Sequence, residues 1–169
     1  KTWSTQDLKN IRAMNPRQED FLQYWFEGNN VCGHGTAGTG KSFLAVYAAL
    51  TSILEPREKQ TRVIIVRSAV STREIGHLPG TEEEKQAVFE RPYKSIFQKL
   101  LGRESSYDDM KAAGKVEFHL TSHIRSETWD DAVVIVDEAQ ELSPMEWRMV
   151  FRRCPSRWMT LVGDTSQTG

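Results

Sequence analysis

Cysteine is scarce: Cys32 and Cys154 are the two thiols among 169 residues. No disulfide framework can be built from them, which excludes the stapled secreted folds and makes a reducing interior, the cytoplasm, the expected compartment. The N-terminus has no apolar signal-peptide core. Nowhere does the chain approach the roughly 20 consecutive apolar residues of a bilayer span, so no membrane association is expected. An excess of one charge is missing as well. With 22 Lys+Arg against 23 Asp+Glu the net charge is −1, so contact with nucleic acid has to come from a local patch rather than a global basic field. The histidines His34, His77, His119 and His123 stand at no metal-ligand spacing, and no third or fourth ligand accompanies His119 and His123, so no zinc site is expected. Repeats, low-complexity tracts and linkers are absent too, and residues 1–169 read as one domain.

What is present is an alternation of helix and strand signals. Asn15-Pro16-Arg17-Gln18 offers an N-cap, a proline at the first helical position and a glutamine three residues after the cap. It predicts a helix with Phe21, Leu22, Trp25 and Phe26 in an apolar stripe, stopping at Gly28. Ser4 to Met14 reads as another short helix. Val31-Cys32-Gly33-His34 is a short strand entering a glycine-rich turn, and Lys41 to Leu54, apolar all round, reads as a buried helix. Arg62 to Arg67 encloses Val63-Ile64-Ile65-Val66, a run without polar alternation, as in a parallel strand covered on both faces. Thr81-Glu82-Glu83-Glu84 opens a helix that is expected to break at Pro92 and resume to Gly102. Ser105 to Gly114 is a short helix or loop, Val116 to Leu120 a weaker strand and Ala132 to Val136 a second apolar one. Ser143-Pro144-Met145-Glu146 starts a helix reaching about Cys154, and Trp158 to Val162 is the last strand. The order implies a three-layer α/β domain with a mostly parallel sheet.

Gly35-Thr36-Ala37-Gly38-Thr39-Gly40-Lys41-Ser42 matches G-x-x-x-x-G-K-[ST] in full, between a predicted strand and a predicted helix. Its three glycines let the backbone curl so that successive N–H groups face phosphate oxygens, and the following helix adds its positive end. Lys41 is then placed to neutralise β- and γ-phosphates and Ser42 to ligate Mg²⁺. Val133-Val134-Ile135-Val136-Asp137-Glu138 completes such a site: a buried strand ending in two acids. Asp137 is the candidate for holding Mg²⁺ and Glu138 for polarising an attacking water, an arrangement that favours a hydrolase over a kinase. Gly163-Asp164-Thr165-Ser166-Gln167 follows the last strand, where Gln167 is either a reporter of the γ-phosphate or part of a polar loop.

The AGTGK loop, the VIVDEAQ strand and the GD-x-x-Q ending are together similar to superfamily 1 helicases and to the PhoH-like ATPases. The middle separates these two. Val66-Arg67-Ser68-Ala69-Val70, continuing through Arg73-Glu74-Ile75-Gly76-His77-Leu78-Pro79-Gly80 to Glu84-Lys85 and Pro92-Tyr93, resembles the PhoH-like signature, in its phage-type form. Glu141 to Thr168 looks more like the UvrD-like helicases, and PhoH-like domains normally continue past the GD-x-x-Q motif. The resemblance implies a P-loop NTPase fold with a RecA-like core, ATP and Mg²⁺ as ligands, and RNA or single-stranded DNA as partner. It also implies that Gln18 reads the adenine edge, although that residue equally fits a capping role.

Arg67 and Arg125, at the ends of predicted elements, are candidates for nucleic-acid phosphate or a neighbouring subunit's nucleotide. Arg148, Arg152, Arg153 and Arg157 form a short basic stretch that is either a phosphate-binding patch or a solvated helix face. Of Trp3, Trp25, Trp129, Trp147 and Trp158, Trp129 is the least clearly a core residue. Three function classes follow. The first is a helicase-like Mg²⁺-ATPase, assembled as a homo-oligomer such as a ring because its accelerating arginine has to come from outside the nucleotide-binding domain. The others are a small-molecule phosphotransferase and a nucleotide-dependent binding module with little hydrolysis.

Overall fold

A computed structural model describes residues 2–35, 40–68 and 80–163. The elements run α1 (Pro16–Phe26), β1 (Val31–His34), α2 (Lys41–Leu54), β2 (Arg62–Arg67), α3 (Glu82–Leu101), α4 (Ser106–Ala112), β3 (Val116–Leu120), β4 (Ala132–Val136), α5 (Pro144–Phe151) and β5 (Arg157–Val162). Every strand pairing is parallel, in the order β1-β5-β4-β2-β3. The α/β reading with its parallel sheet therefore stands.

Burial explains the layers. Val63, Ile65, Val133, Ile135, Met159 and Leu161 face a large core with α2 and α3, while Ile64, Val66, Val134 and Val136 face a smaller one closed by Trp129, Leu142 and Val150. Central strands are thus apolar on both faces, and no alternation survives in β2 or β4. At the edge, β3 alternates: Val116, Phe118 and Leu120 are buried, Glu117 and His119 half-buried on the other face. Helix α3 is fastened to α4 by the buried Glu90 carboxylate, which accepts from Tyr107 Oη at 2.7 Å and Lys111 Nζ at 2.6 Å.

The caps form where the sequence places them. Asn15 Oδ1 accepts from the Gln18 amide at 2.9 Å, Thr81 caps α3, and Ser143 and Glu146 complete a capping box on α5. Several expectations are corrected. Ser4 to Met14 is not a helix beyond a single 3-10 turn at Thr5–Asp7. Leu8 and Ile11 pack on the large core and the Lys9 amide donates to the Leu100 carbonyl at 2.9 Å, so this backbone is satisfied by α3 and not by its own turns. Phe26 is half-exposed, so the apolar stripe of α1 ends with the fully buried Trp25. Pro92 does not break α3, which runs unbroken over 20 residues. The proline lies on the solvent side, where a freed carbonyl is hydrated, while Phe89, Tyr93 and Phe97 anchor the buried side across it. Trp129 is fully buried, against the sequence reading.

In open parallel sheets ligands gather at the carboxyl ends of strands. The order places β5 between β1 and β4, so the end of β5 at Gly163 comes between the phosphate-loop flank and the acidic pair.

Candidate nucleotide-binding and catalytic site

Gly35 and Gly40 flank the glycine-rich loop, and Thr36, Ala37, Gly38 and Thr39 lie outside the described residues. Gly40 adopts φ +76° as the N-cap of α2, a conformation glycine takes without strain. Lys41 Nζ donates back to the Gly35 carbonyl at 2.5 Å, which ties the start of α2 to the end of β1. Beside it, α1, β1 and the start of α2 enclose a cavity of about 910 Å³ lined by Asn15, Gln18, Phe21, Tyr24, Lys41 and Leu161 among others. Gly33 lets this wall close: a Cβ there would meet Leu161 at 3.1 Å and Phe21 at 3.2 Å.

Gln18 has a capping contact and also faces the cavity. Its Oε1 accepts from the Met14 amide at 2.8 Å, one residue before the expected capping partner, and its Nε2 reaches to within 4.0 Å of where a Gly40 Cβ would stand. The same carboxamide therefore caps α1 and lines the cavity.

Asp137 meets the first turn of α2. Ser42 Oγ donates to Asp137 Oδ2 at 2.9 Å across 95 residues of chain, and Asp137 is 4% exposed. Tyr93 Oη donates to the same Oδ2 at 2.6 Å, and the Glu138 amide donates to Oδ1 at 2.9 Å. Burial, then the Asp137 charge, push the Tyr93 phenol well above its ordinary value, so it stays a donor. A hydroxyl and a carboxylate are the hard oxygen donors that Mg²⁺ takes, and here they converge on one point. Glu138 sits at φ +48°, a left-handed conformation that a non-glycine residue adopts at a cost of about 1–3 kcal/mol and that clusters at functional sites. Gln140 Nε2 donates to Glu138 Oε2 at 2.6 Å, while Gln140 Oε1 accepts from the Gly163 amide at 2.8 Å. A Cβ at Gly163 would stand 2.8 Å from Gln140 Nε2 and 3.0 Å from Glu138 Oε2, so the end of β5 is shaped around this pair.

The PhoH-like protein family model matches residues 10–169. The chain belongs to the PhoH-like family. A PhoH-like protein of Bacillus subtilis (strain 168) is 33% identical over 161 residues, covering 94% of this chain and 50% of that protein. The PhoH-like protein of Synechocystis sp. is 33% identical over 160 residues, 94% of this chain and 48% of its own. Protein PhoH2 of Mycolicibacterium smegmatis is 40% identical over 112 residues, 64% of this chain and 25% of that protein. The chain thus spans about half the length of the first two relatives. The family match runs through Glu141 to Thr168, the stretch that also resembles UvrD-like helicases.

Other sequence candidates divide. Gln167 lies outside the described residues, as does the signature from Ala69 to Pro79. Arg67 comes to the acidic pair, whereas Arg125 is exposed in a groove with Glu82, Glu83 and His123. The basic stretch is not one patch. Arg157 lies 3.5 Å from the Trp25 ring centroid and donates to the Asn29 and Trp25 carbonyls, a packing role, while Arg148 and Arg152 are exposed. His119 has the neighbours that its spacing did not suggest: Glu117 and Glu127 carboxylates each lie 3.8 Å from its Nε2, although Glu117 is already paired with Arg62 at 2.5 Å. No helix among the described residues is long and apolar enough to cross a membrane.

Tyr93 and Gln140 carry no expected role from the sequence, and Glu146 only that of a capping-box partner. Tyr93 and Gln140 stand inside the motifs Pro92-Tyr93 and VIVDEAQ, and that adjacency is the signal the sequence carries for them. Glu146 accepts from Ser68 Oγ at 2.8 Å and from Thr121 Oγ1, tying the ends of β2 and β3 to α5. Its capping-box position is legible, but its two distant donors are not.

Proposed function

We propose that the chain is a magnesium-dependent ATPase of the helicase-like kind whose hydrolysis is coupled to RNA or single-stranded DNA. The observation that carries this reading is the 2.9 Å hydrogen bond between Ser42 Oγ and Asp137 Oδ2, which joins the phosphate loop to the acidic strand. Ser42 and Asp137 hold Mg²⁺, which when bound supplies charge neutralisation at phosphate oxygens. Lys41 and the amides from Gly35 to Gly40 hold the β- and γ-phosphates, and Gln18, lining the adjoining cavity, reads the adenine edge. Glu138, held by Gln140, accepts the proton of the attacking water. Gln167 follows β5 and reports the state of the γ-phosphate. The exposed Arg148 and Arg152 are local cations of the kind a nucleic-acid contact needs in a chain of net charge −1. Assembly into a homo-oligomer, a ring in its simplest closed form, belongs to the same reading.

Phosphate release from ATP, followed with and without Mg²⁺ and with and without single-stranded RNA or DNA, tests it. Magnesium-dependent hydrolysis stimulated by either strand is the expected result. Transfer of the phosphoryl group to a small acceptor, or tight ATP binding without turnover, refutes it. Light scattering in ATP and Mg²⁺ reads the assembly, and a fast ATPase that stays monomeric at every concentration refutes that part.

A further inference from the structure

Arg67 is the last residue of β2, and β2 pairs with β4, whose end carries the acidic pair. The register brings Val66 opposite Val136, and the Asp137 amide donates to the Val66 carbonyl at 3.0 Å. Arg67 therefore leaves the sheet one position from that hydrogen bond. Its guanidinium does not turn away to solvent. It lies 5.7 Å from the centroid of the Phe89 ring and close enough to the Tyr93 hydroxyl, the same hydroxyl that donates to Asp137, to feel it electrostatically. Burial opposes its charge, but Tyr93, Asp137 and Glu138 outweigh that and hold it protonated. The Nε is buried and, among the described residues, has no hydrogen-bond partner.

A buried guanidinium with an unspent N–H is costly unless something completes it. Ordinary ion-pair architecture would have satisfied it directly with carboxylates, as Arg62 at the other end of the same strand is satisfied by one hydrogen bond to Glu117 and one to Asp131. Arg67 instead shares Asp137 through Tyr93. Asp137 is the carboxylate assigned to the metal, so a cation in that position counts twice: it balances two acids before nucleotide arrives, and its charge stays beside the metal's carboxylate once phosphoryl oxygens come in.

We propose that Arg67 is an arginine finger supplied in cis, the positive charge that phosphoryl transfer requires, held beside the acidic pair by Tyr93 and Phe89 of α3. This rests on the ATPase reading above. It separates catalysis from assembly: oligomerisation then serves grip on the polymer and is not needed to deliver the arginine.

The test uses the full chain with Arg67→Ala, Arg67→Lys and Glu138→Gln. Wild-type chain is first checked for magnesium-dependent ADP and ATP binding by calorimetry; absence of binding there refutes the ATPase reading itself, whatever Arg67 does. Given binding, Arg67→Ala is expected to keep its ADP affinity within about threefold, to lose about 10³-fold in kcat, and to lose the extra thermal stabilisation that ADP with aluminium fluoride gives the wild type. An Arg67→Ala chain whose kcat stays within fivefold overturns the proposal. Mixing Arg67→Ala with Glu138→Gln chains decides cis against trans: two inactive chains stay inactive if the arginine serves its own site, and recovered turnover overturns the proposal. If Arg67→Ala does not fold, Arg67→Lys carries the aluminium fluoride arm, since it keeps the charge but not the planar fork. Wild-type stabilisation of Arg67→Lys by ADP with aluminium fluoride overturns the proposal, and its loss alongside intact ADP binding supports it.

Discussion

Two carboxylates at the carboxyl end of this sheet are hydrogen-bonded in nearly the same way and differ in what surrounds them. Asp137 accepts from Ser42, Tyr93 and the Glu138 amide; Glu146 accepts from Ser68, Thr121 and the Ser143 amide. Counting donors does not tell them apart. Asp137 stands where the helix opened by Lys41 begins, next to a second acid in a left-handed conformation and a buried guanidinium. Glu146 is the third residue of a capping box, and its donors are the ends of β2 and β3. One carboxylate sits among unbalanced charges that only a ligand completes, and the other is completed by the fold. Polar density marks a site only when the surrounding charge is left open.

The largest expected effect breaks the comparison on the Asp137 side. Glu138→Gln keeps the hydrogen bond from Gln140 but removes the proposed base, so kcat is expected to fall by about 10³-fold while ATP remains bound. Thermal unfolding of the same variant is expected to match the wild type within about 2 °C, because no buried apolar contact is lost. Single-turnover phosphate release at saturating ATP measures the first and calorimetric unfolding the second. A variant that turns over at more than a tenth of the wild-type rate removes Glu138 from its role.

Glu146 should show the opposite signature. Glu146→Ala removes the acceptor shared by Ser68 and Thr121, both essentially fully buried, and the capping-box partner of Ser143. The expected loss is about 2–3 kcal/mol of stability, read as a lower urea midpoint at unchanged m-value, with ATP affinity unaltered. If nucleotide affinity falls in step with stability, the two corners are one unit.

How far this contrast was legible before the structure depends on spacing. Strands β2 and β4 are continuous apolar runs, the caps at Asn15, Thr81 and Ser143 are local chemistry, and G-x-x-x-x-G-K-S with VIVDE names both halves of the site. What failed was tertiary. Pro92 sits in a helix that packing on Phe89, Tyr93 and Phe97 holds together against its local preference, and Leu8 with Ile11 trades helical bonds for contacts with α3. Tyr93, Gln140 and Glu146 act through partners far away in sequence, which neither hydrophobic period nor local spacing identifies.

A smaller effect sharpens the Glu146 side through pH. Burial raises the Glu146 carboxyl, but hydrogen bonds from Thr121, the Ser143 amide and Ser68 outweigh it, and the net shift is downward. A carboxyl lowered in the folded state adds stability that is present above its unfolded value, about 4.3, and is lost as pH falls through the folded value. Unfolding midpoints of wild type and Glu146→Gln should therefore differ by a constant amount between pH 6 and pH 8, and the gap should close below about pH 4. A gap that widens on acidification reverses the assigned sign.

The subtlest expected change is on the catalytic side and tests whether Glu138 is positioned or merely present. Gly163 is where β5 meets the Gln140–Glu138 pair, and a methyl group there would stand 2.8 Å from Gln140 Nε2. That atom is the end of a flexible side chain, so Gly163→Ala can be accommodated by moving it, at little cost to folding. The displaced amide no longer holds Glu138 Oε2, and kcat is expected to fall by about tenfold, or roughly 1.4 kcal/mol, with KM for ATP unchanged. Gln140→Ala removes the same restraint without the clash and should lose a similar factor, while the double variant should lose little more than either alone, since both act on one hydrogen bond. Losses that multiply in the double variant would mean that Gly163 and Gln140 act separately, and that Glu138 takes its position from its own strained backbone.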